Sequence, residues 1–211
     1  MVLTPSSRIA ILLCWALLTI SCIPQRVPTK IAETTPIRVA VVIENPQRPE
    51  LVEPPTELIT RLESLAAARN LVFQRALATE EDRTTLVRAR TSEARSIHLG
   101  EGTQGTEIAM LIEARPRFHS KIGGTYRWNI PARVTIFSAE NPQQTLVHEF
   151  DTPAFLRLAR QSSADALASV QLPFAQQVEL AVDRFLLADA AAVATDEPKK
   201  KAVTPMPPPT E

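Results

Sequence analysis

Cysteine is nearly absent from this chain: there are two in 211 residues, Cys14 and Cys22, and Cys14 lies inside the apolar stretch Ile9 to Ile20. If that stretch is removed, only one thiol remains. Disulfide staples, cysteine-rich metal sites and thiol catalysis are then excluded. Histidine is almost as scarce. His98, His119 and His148 are the only imidazoles, and only His148 has an acid beside it, Glu149, which strand alternation turns to the opposite face. No G-x-S-x-G elbow occurs, so Ser162-Ser163 lacks the setting of a nucleophile. Net charge is missing too: 23 basic side chains balance 23 acidic ones. That evenness excludes the broad basic face of a nucleic-acid binder and gives no sign of long-range steering towards anionic partners. Glycine is sparse at 5, whereas the 18 prolines concentrate before residue 56 and after residue 197. Such uneven usage predicts one ordered domain flanked by extended segments.

The amino terminus has the anatomy of an export signal. Arg8 supplies a positive charge, and the apolar run from Ile9 to Ile20, with Cys14 and Trp15 inside it, is shorter than the about 20 residues a membrane-spanning helix needs. Pro24 continues no helix. Residues 1–21 are therefore expected to be a signal peptide that is removed, leaving 22 basic against 23 acidic side chains. Ile20-Ser21-Cys22 resembles the lipobox of bacterial lipoproteins, with a small residue directly before the cysteine. That resemblance implies lipidation of Cys22. Ile23 and Pro24 occupy the place where an aspartate would signal inner-membrane retention, which implies a lipid anchor in the outer membrane and a domain in the periplasm. Residues 22–36 read as an extended, proline-punctuated tether. Residues 189–211, running from alanines through Lys199-Lys200-Lys201 to Pro207-Pro208-Pro209, read as a disordered tail whose charge run is solvated.

Between these ends, residues 37–188 suffice for one domain with a proper core. Ile37 to Ile43 is β-branched and bounded by Pro36 and Asn45-Pro46, the pattern of a buried strand. Thr56 is expected to cap a helix with Leu58, Leu62, Leu65 and Ala66 on one face. Leu71 to Leu77 is a second strand, and Glu80, Glu81 and Asp82 complement the positive start of a second helix. Glu107–Phe118, Thr125–Ser138 and Gln144–Asp151 are then three strand-like runs. They are joined by Ile122-Gly123-Gly124 and by a loop containing Asn141-Pro142. A final helical pattern from Ser163 to Phe185 is interrupted by Pro173, which implies either a kink or two short helices with Pro173 starting the second. The expected class is α/β (α+β): a mixed sheet of about five strands in the order β-α-β-α-β-β-β-α, with helices packed on it.

Two local patterns invite functional readings. Gly100 to Gly105 spells G-x-G-x-x-G, but a helix precedes it and a strand follows, the reverse of what pyrophosphate binding requires. Lys121, Tyr126, Arg127 and Trp128 mix basic and aromatic side chains as a glycan or nucleic-acid platform would. Alternation places Tyr126 and Trp128 on the apolar side with Ile130, which favours packing over ligand stacking.

The order of elements resembles the periplasmic lipoprotein domains of the TolB N-terminal-like group, which includes the curli secretion lipoprotein and the lipoprotein activators of penicillin-binding proteins. The resemblance lies in Arg38 to Val42, Gly105 to Ala114, the hairpin Trp128 to Phe150 and the amphipathic end Phe174 to Leu187. After the third strand, Glu113-Ala114-Arg115-Pro116 stands where the group commonly has glycine. The resemblance implies a non-enzymatic accessory lipoprotein that binds or assembles with an envelope protein. It implies no catalytic residue, no cofactor, no metal and no nucleic acid, with the membrane met through the anchor at Cys22. The alternatives are a peptidoglycan or glycan-binding module, carried by Tyr126 and Trp128, and a periplasmic hydrolase.

Overall fold

The computed structural model describes residues 34–45, 51–76, 80–101, 108–139, 144–157 and 162–196, with the side chains of 80 and 190–196 left aside. The signal, Cys22, most of the tether, most of the glycine-rich loop, Asn141-Pro142 and the end of the tail lie outside the described residues. The strands are β1 (Thr35–Glu44), β2 (Leu51–Val52), β3 (Leu71–Arg75), β4 (Ile108–Ala114), β5 (Arg117–Ile122), β6 (Thr125–Ser138) and β7 (Thr145–Leu156). The helices are α1 (Thr56–Ala67), α2 (Glu80–Arg88), α3 (Ser92–Glu101), α4 (Ser163–Ser169) and α5 (Gln171–Asp196).

The fold class is mixed α+β, with helices packed on one mixed sheet. Seven strands form that sheet, where the sequence pattern suggests about five. One of the additional strands is the two-residue β2, antiparallel to the end of β1. The other arises because Pro116, which has no donor, separates β4 from β5. The register of the pair nevertheless carries on unshifted, from Ala114 opposite Ala132 to Arg117 opposite Asn129. β4 and β5 together thus form one long arm of a hairpin with β6. Gly123 and Gly124 close it with φ of 56° and 78°, the left-handed pair that a two-residue hairpin turn demands.

β1 pairs in parallel with both β3 and β4, because α1 and then α2 with α3 return the chain over the sheet. Being covered on both sides, β1 and β4 read as continuous apolar runs. On one face Ile37, Val39, Met110 and Ile112 meet Leu58 and Leu62 of α1 and Phe174, Val178 and Phe185 of α5 in a single core. On the other, Ala40, Val42, Ala109 and Leu111 meet Leu86 of α2 and Leu99 of α3.

Several local expectations are corrected. The N-cap of α1 is Pro55, without a side-chain cap; Thr56 stands at the first helical position, where its carbonyl accepts from the Thr60 hydroxyl at 3.1 Å. At Pro173 the second alternative, two helices with the proline starting the second, is the one observed. The break falls at Val170, and Pro173 lies in the first turn of α5, where its missing donor costs nothing. β1 starts at Thr35, inside the stretch read as tether, and α5 runs through Asp196, past the boundary placed at 188. Its apolar face up to Leu186 is held in the core, and alanine, the best helix former, carries it onward.

A buried cation ties α1 to α5. Arg69, 1% exposed, donates from Nε and Nη2 to Asp183 at 2.7 and 3.0 Å, from Nη2 to Glu179 at 2.9 Å, and from Nη1 to the Leu65 carbonyl at 3.1 Å. Burial pulls its affinity for the proton down, but the hydrogen bonds and charges of Asp183 and Glu179 outweigh that and hold it above the ordinary arginine value.

Candidate binding surface

β6 and β7 bury one face and expose the other. Even-numbered residues Ile130, Val134, Ile136 and Ala154 face the core with α4 and α5, while Arg127, Arg133, Val147, Glu149, Asp151 and Phe155 alternate onto the opposite side. There α2 and α3 cover β1 and β4 but leave β7 open: Val147 is 46% and Phe155 60% exposed.

A groove of about 450 Å³ runs along this open face, lined among others by Ser92, Arg115, Arg117, Arg133, Glu149 and Asp151, with Glu113 also in its wall. One wall is an ion-pair network. Arg95 of α3 is buried and donates from Nη1 to Glu113 at 2.6 Å and to Glu44 at 2.5 Å, and from Nε to the Leu86 carbonyl at 3.2 Å. Arg115 Nε reaches the other Glu44 oxygen at 2.7 Å. Glu113 Oε2 and Arg133 Nε are buried with no hydrogen-bond partner among the described residues. Burying charge is tolerable only when it is paired, so this chain of alternating signs fixes the wall rigidly. On the open side Arg133 approaches Glu149 at 3.7 Å and Asn129 donates to Asp151 at 3.3 Å. The arrangement presents fixed charges of both signs with apolar side chains at either end, a surface suited to recognition.

The sequence offered one signal for the network. Glu113 closes an otherwise apolar run, and an acid at the end of a strand covered on both faces needs a cation. That the cation comes from Arg95, eighteen residues earlier on a helix, is a tertiary fact.

The residues singled out from sequence fall in separate places. His98 lies on α3, 3.7 Å from Glu101; His119 occupies the bulge of β5; His148 Nε2 meets Gln177 at 3.2 Å on the core side of β7. Glu149 does point the other way. Among the described residues no group of three His, Cys, Asp or Glu is placed to hold a metal ion, and no helix is long and apolar enough to cross a membrane. Ser162 caps α4: its hydroxyl and backbone N–H both meet Asp165, at 2.8 and 2.7 Å. These bonds to Ser162, backbone first, hold the Asp165 carboxyl below its ordinary value.

The basic-aromatic stretch forms the free end of the sheet. Phe118 stands edge-on to Trp128 with ring centres 5.7 Å apart and tilts against Tyr126 at 6.2 Å. Lys121 Nζ sits 5.0 Å over the Tyr126 ring, and on the reverse side Arg127 lies 6.0 Å over Phe155. Tyr126 and Trp128 are half-buried and packed against the core, so part of each ring is taken up by packing rather than left for stacking a sugar.

No protein-family model matches the chain, and no curated protein matches it. Solved structures of bacterial envelope lipoproteins do align with it. A lipoprotein from Neisseria meningitidis is 12% identical over 77% of this chain and 99% of its own, with a TM-score of 0.36. Rare lipoprotein B from Shewanella oneidensis is 7% identical over 75% and 97%, at 0.31. A protein from Xanthomonas campestris is 11% identical over 81% and 94%, at 0.39. At these values the likenesses carry no functional assignment.

Proposed function

We propose that this chain is a lipid-anchored accessory protein of the cell envelope which binds an envelope protein through the open β6–β7 face and performs no catalysis. The observation that carries the reading is the groove on that face. Its walls are fixed by buried ion pairs, its rim carries Arg117, Arg133, Glu149 and Asp151, and Val147 and Phe155 stand exposed beside it. Charges of both signs around apolar anchors are the composition of a protein contact, in which complementary charges set partner choice and register. The anchor is the acylated Cys22 that the lipobox resemblance implies, with Ile23 and Pro24 favouring the outer membrane and the domain held in the periplasm by its tether.

Two measurements test this. Labelled palmitate should enter the chain in cells and be lost in Cys22→Ser, with the protein leaving the membrane fraction; undiminished labelling of that variant would refute the anchor. A photo-crosslinker at Val147 should capture one reproducible envelope protein, and Glu149→Arg with Asp151→Arg should reduce the yield at least tenfold. An unchanged yield would remove this face from the reading.

A further inference from the structure

The neutral total conceals a strong local imbalance. From Arg115 to Ala139 the chain has five basic residues and no acid, and this segment supplies β5, its turn and all of β6. The end of the hairpin also gathers three exposed apolar side chains: Phe118 is 48%, Ile122 56% and Phe155, at the end of β7, 60% exposed. Strand alternation sets Phe118 and Lys121 on one face of this three-stranded end, and Ile122, Arg127 and Phe155 on the other. Arg117, exposed on β5, has no acidic partner among the described residues.

We infer that this hairpin end is a docking tip that enters the headgroup layer of an anionic lipid surface. The decisive feature is that both faces carry exposed apolar groups. A protein or glycan partner lies against one face and leaves the other in water, whereas a tip immersed in the interface is surrounded on every side. Exposed phenylalanine and isoleucine side chains beside lysine and arginine suit this boundary, the apolar groups entering below the headgroups and the cations reaching to phosphate. Gly123 and Gly124 leave the turn itself slim, with nothing within 4 Å of where a Cβ would stand.

The distances allow the contact on the membrane that holds the proposed anchor. The tip lies about 45 Å along β4 and β5 from the end of the sheet where β1 begins, at about 3.3 Å per residue. The chain between Cys22 and Thr35 spans up to roughly 45 Å when extended. The domain therefore can lie along the surface with both ends engaged. The inference deepens the anchored reading without depending on acylation, because it rests on the hairpin alone.

The test uses the full chain in vesicles of phosphatidylethanolamine and phosphatidylglycerol, in a Trp15→Phe, Trp128→Phe background whose circular dichroism matches the parent, so that the introduced reporter is the only indole. A fluorescent reporter is introduced as Ile122→Trp at the tip or as Ile97→Trp on α3, a site 64% exposed beside the opposite end of β6. Lipids brominated on the acyl chain should quench the tip reporter at least twofold more than the α3 reporter. The difference should vanish in pure phosphatidylcholine and in Lys121→Glu with Arg127→Glu, whose circular dichroism should match the parent. Equal quenching at both sites, or quenching indifferent to lipid charge, overturns the inference. A tip reporter that responds to soluble polyglutamate as strongly as to vesicles points to an acidic protein instead and also overturns it. Loss of the anchor lowers both signals; loss of tip docking lowers only the first.

Discussion

Arg95 is the side chain on which the open face most depends. It is 3% exposed and holds Glu113, 4% exposed, and Glu44 in fixed positions. Removing one member of a buried pair strands the other, at a cost of about 3–5 kcal/mol, while replacing both by apolar residues of similar volume is often neutral. Arg95→Met should therefore lower unfolding stability in urea by about 3 kcal/mol or more, and the double variant Arg95→Met with Glu113→Leu should recover most of it. A double variant no more stable than Arg95→Met would mean that the network contributes by another route. Phe174 makes a simpler case. It is 0% exposed and edge-on to Phe150 with centres 5.2 Å apart, so Phe174→Ala should cost about 3–5 kcal/mol, read by the same titration. Glu113, an acid ending an apolar run, is a signal the sequence carries, but Arg95 is not, since one arginine in Thr91 to His98 looks like any other helix surface residue.

At the scale of elements, two termini give measurable predictions. α4 starts in a capping box in which Asp165 accepts from Ser162, and its carboxyl is held below the ordinary 3.8. A carboxyl depressed in the folded state stabilises above its unfolded value and loses that contribution as the pH falls through the folded one. Amide hydrogen exchange in α4 should accordingly accelerate below about pH 4, relative to that in α5, and Ser162→Ala should cost about 1 kcal/mol at neutral pH and flatten the acid dependence. Parallel exchange in the two helices across that range would contradict the assignment. At the hairpin turn Gly123 and Gly124 both have positive φ with open space around them, so the penalty for alanine is conformational alone. Gly123→Ala should destabilise by about 1–2 kcal/mol, and a thermal melt that does not shift would refute the turn geometry. These elements differ in how readily they could be read. The Gly-Gly turn and the alternation of β6 were plain, because glycine and period-two patterning act locally. Thr56 reads as a cap in sequence but stands inside α1 because the chain enters through Pro54-Pro55, and the division of β4 from β5 is blurred because their register against β6 continues unshifted across Pro116.

Across the whole molecule, the neutral composition is the least informative average. A balanced total predicts no charged surface, yet folding sets the acid-free segment Arg115 to Ala139 in the adjacent strands β5 and β6, while Glu179 and Asp183 of α5 satisfy Arg69. The sequence by itself determined the alternation of crossover helices and hairpins, and therefore the mixed sheet, because apolar periodicity and turn residues report on neighbours a few positions away. It also determined the scarcity of thiols and imidazoles and the standing of Cys22 as a lipidation candidate, which depends on a contiguous motif. Only the tertiary structure decided that Arg95, Glu44, Glu113 and Arg115 meet, that α2 and α3 stop short of β7, and that Phe118, Ile122 and Phe155 project together from a cationic tip. The physical reason is that ion pairs and exposed faces are set by residues far apart in the chain, brought side by side by sheet register and helix packing, whereas local patterning carries no record of which distant element will cover it.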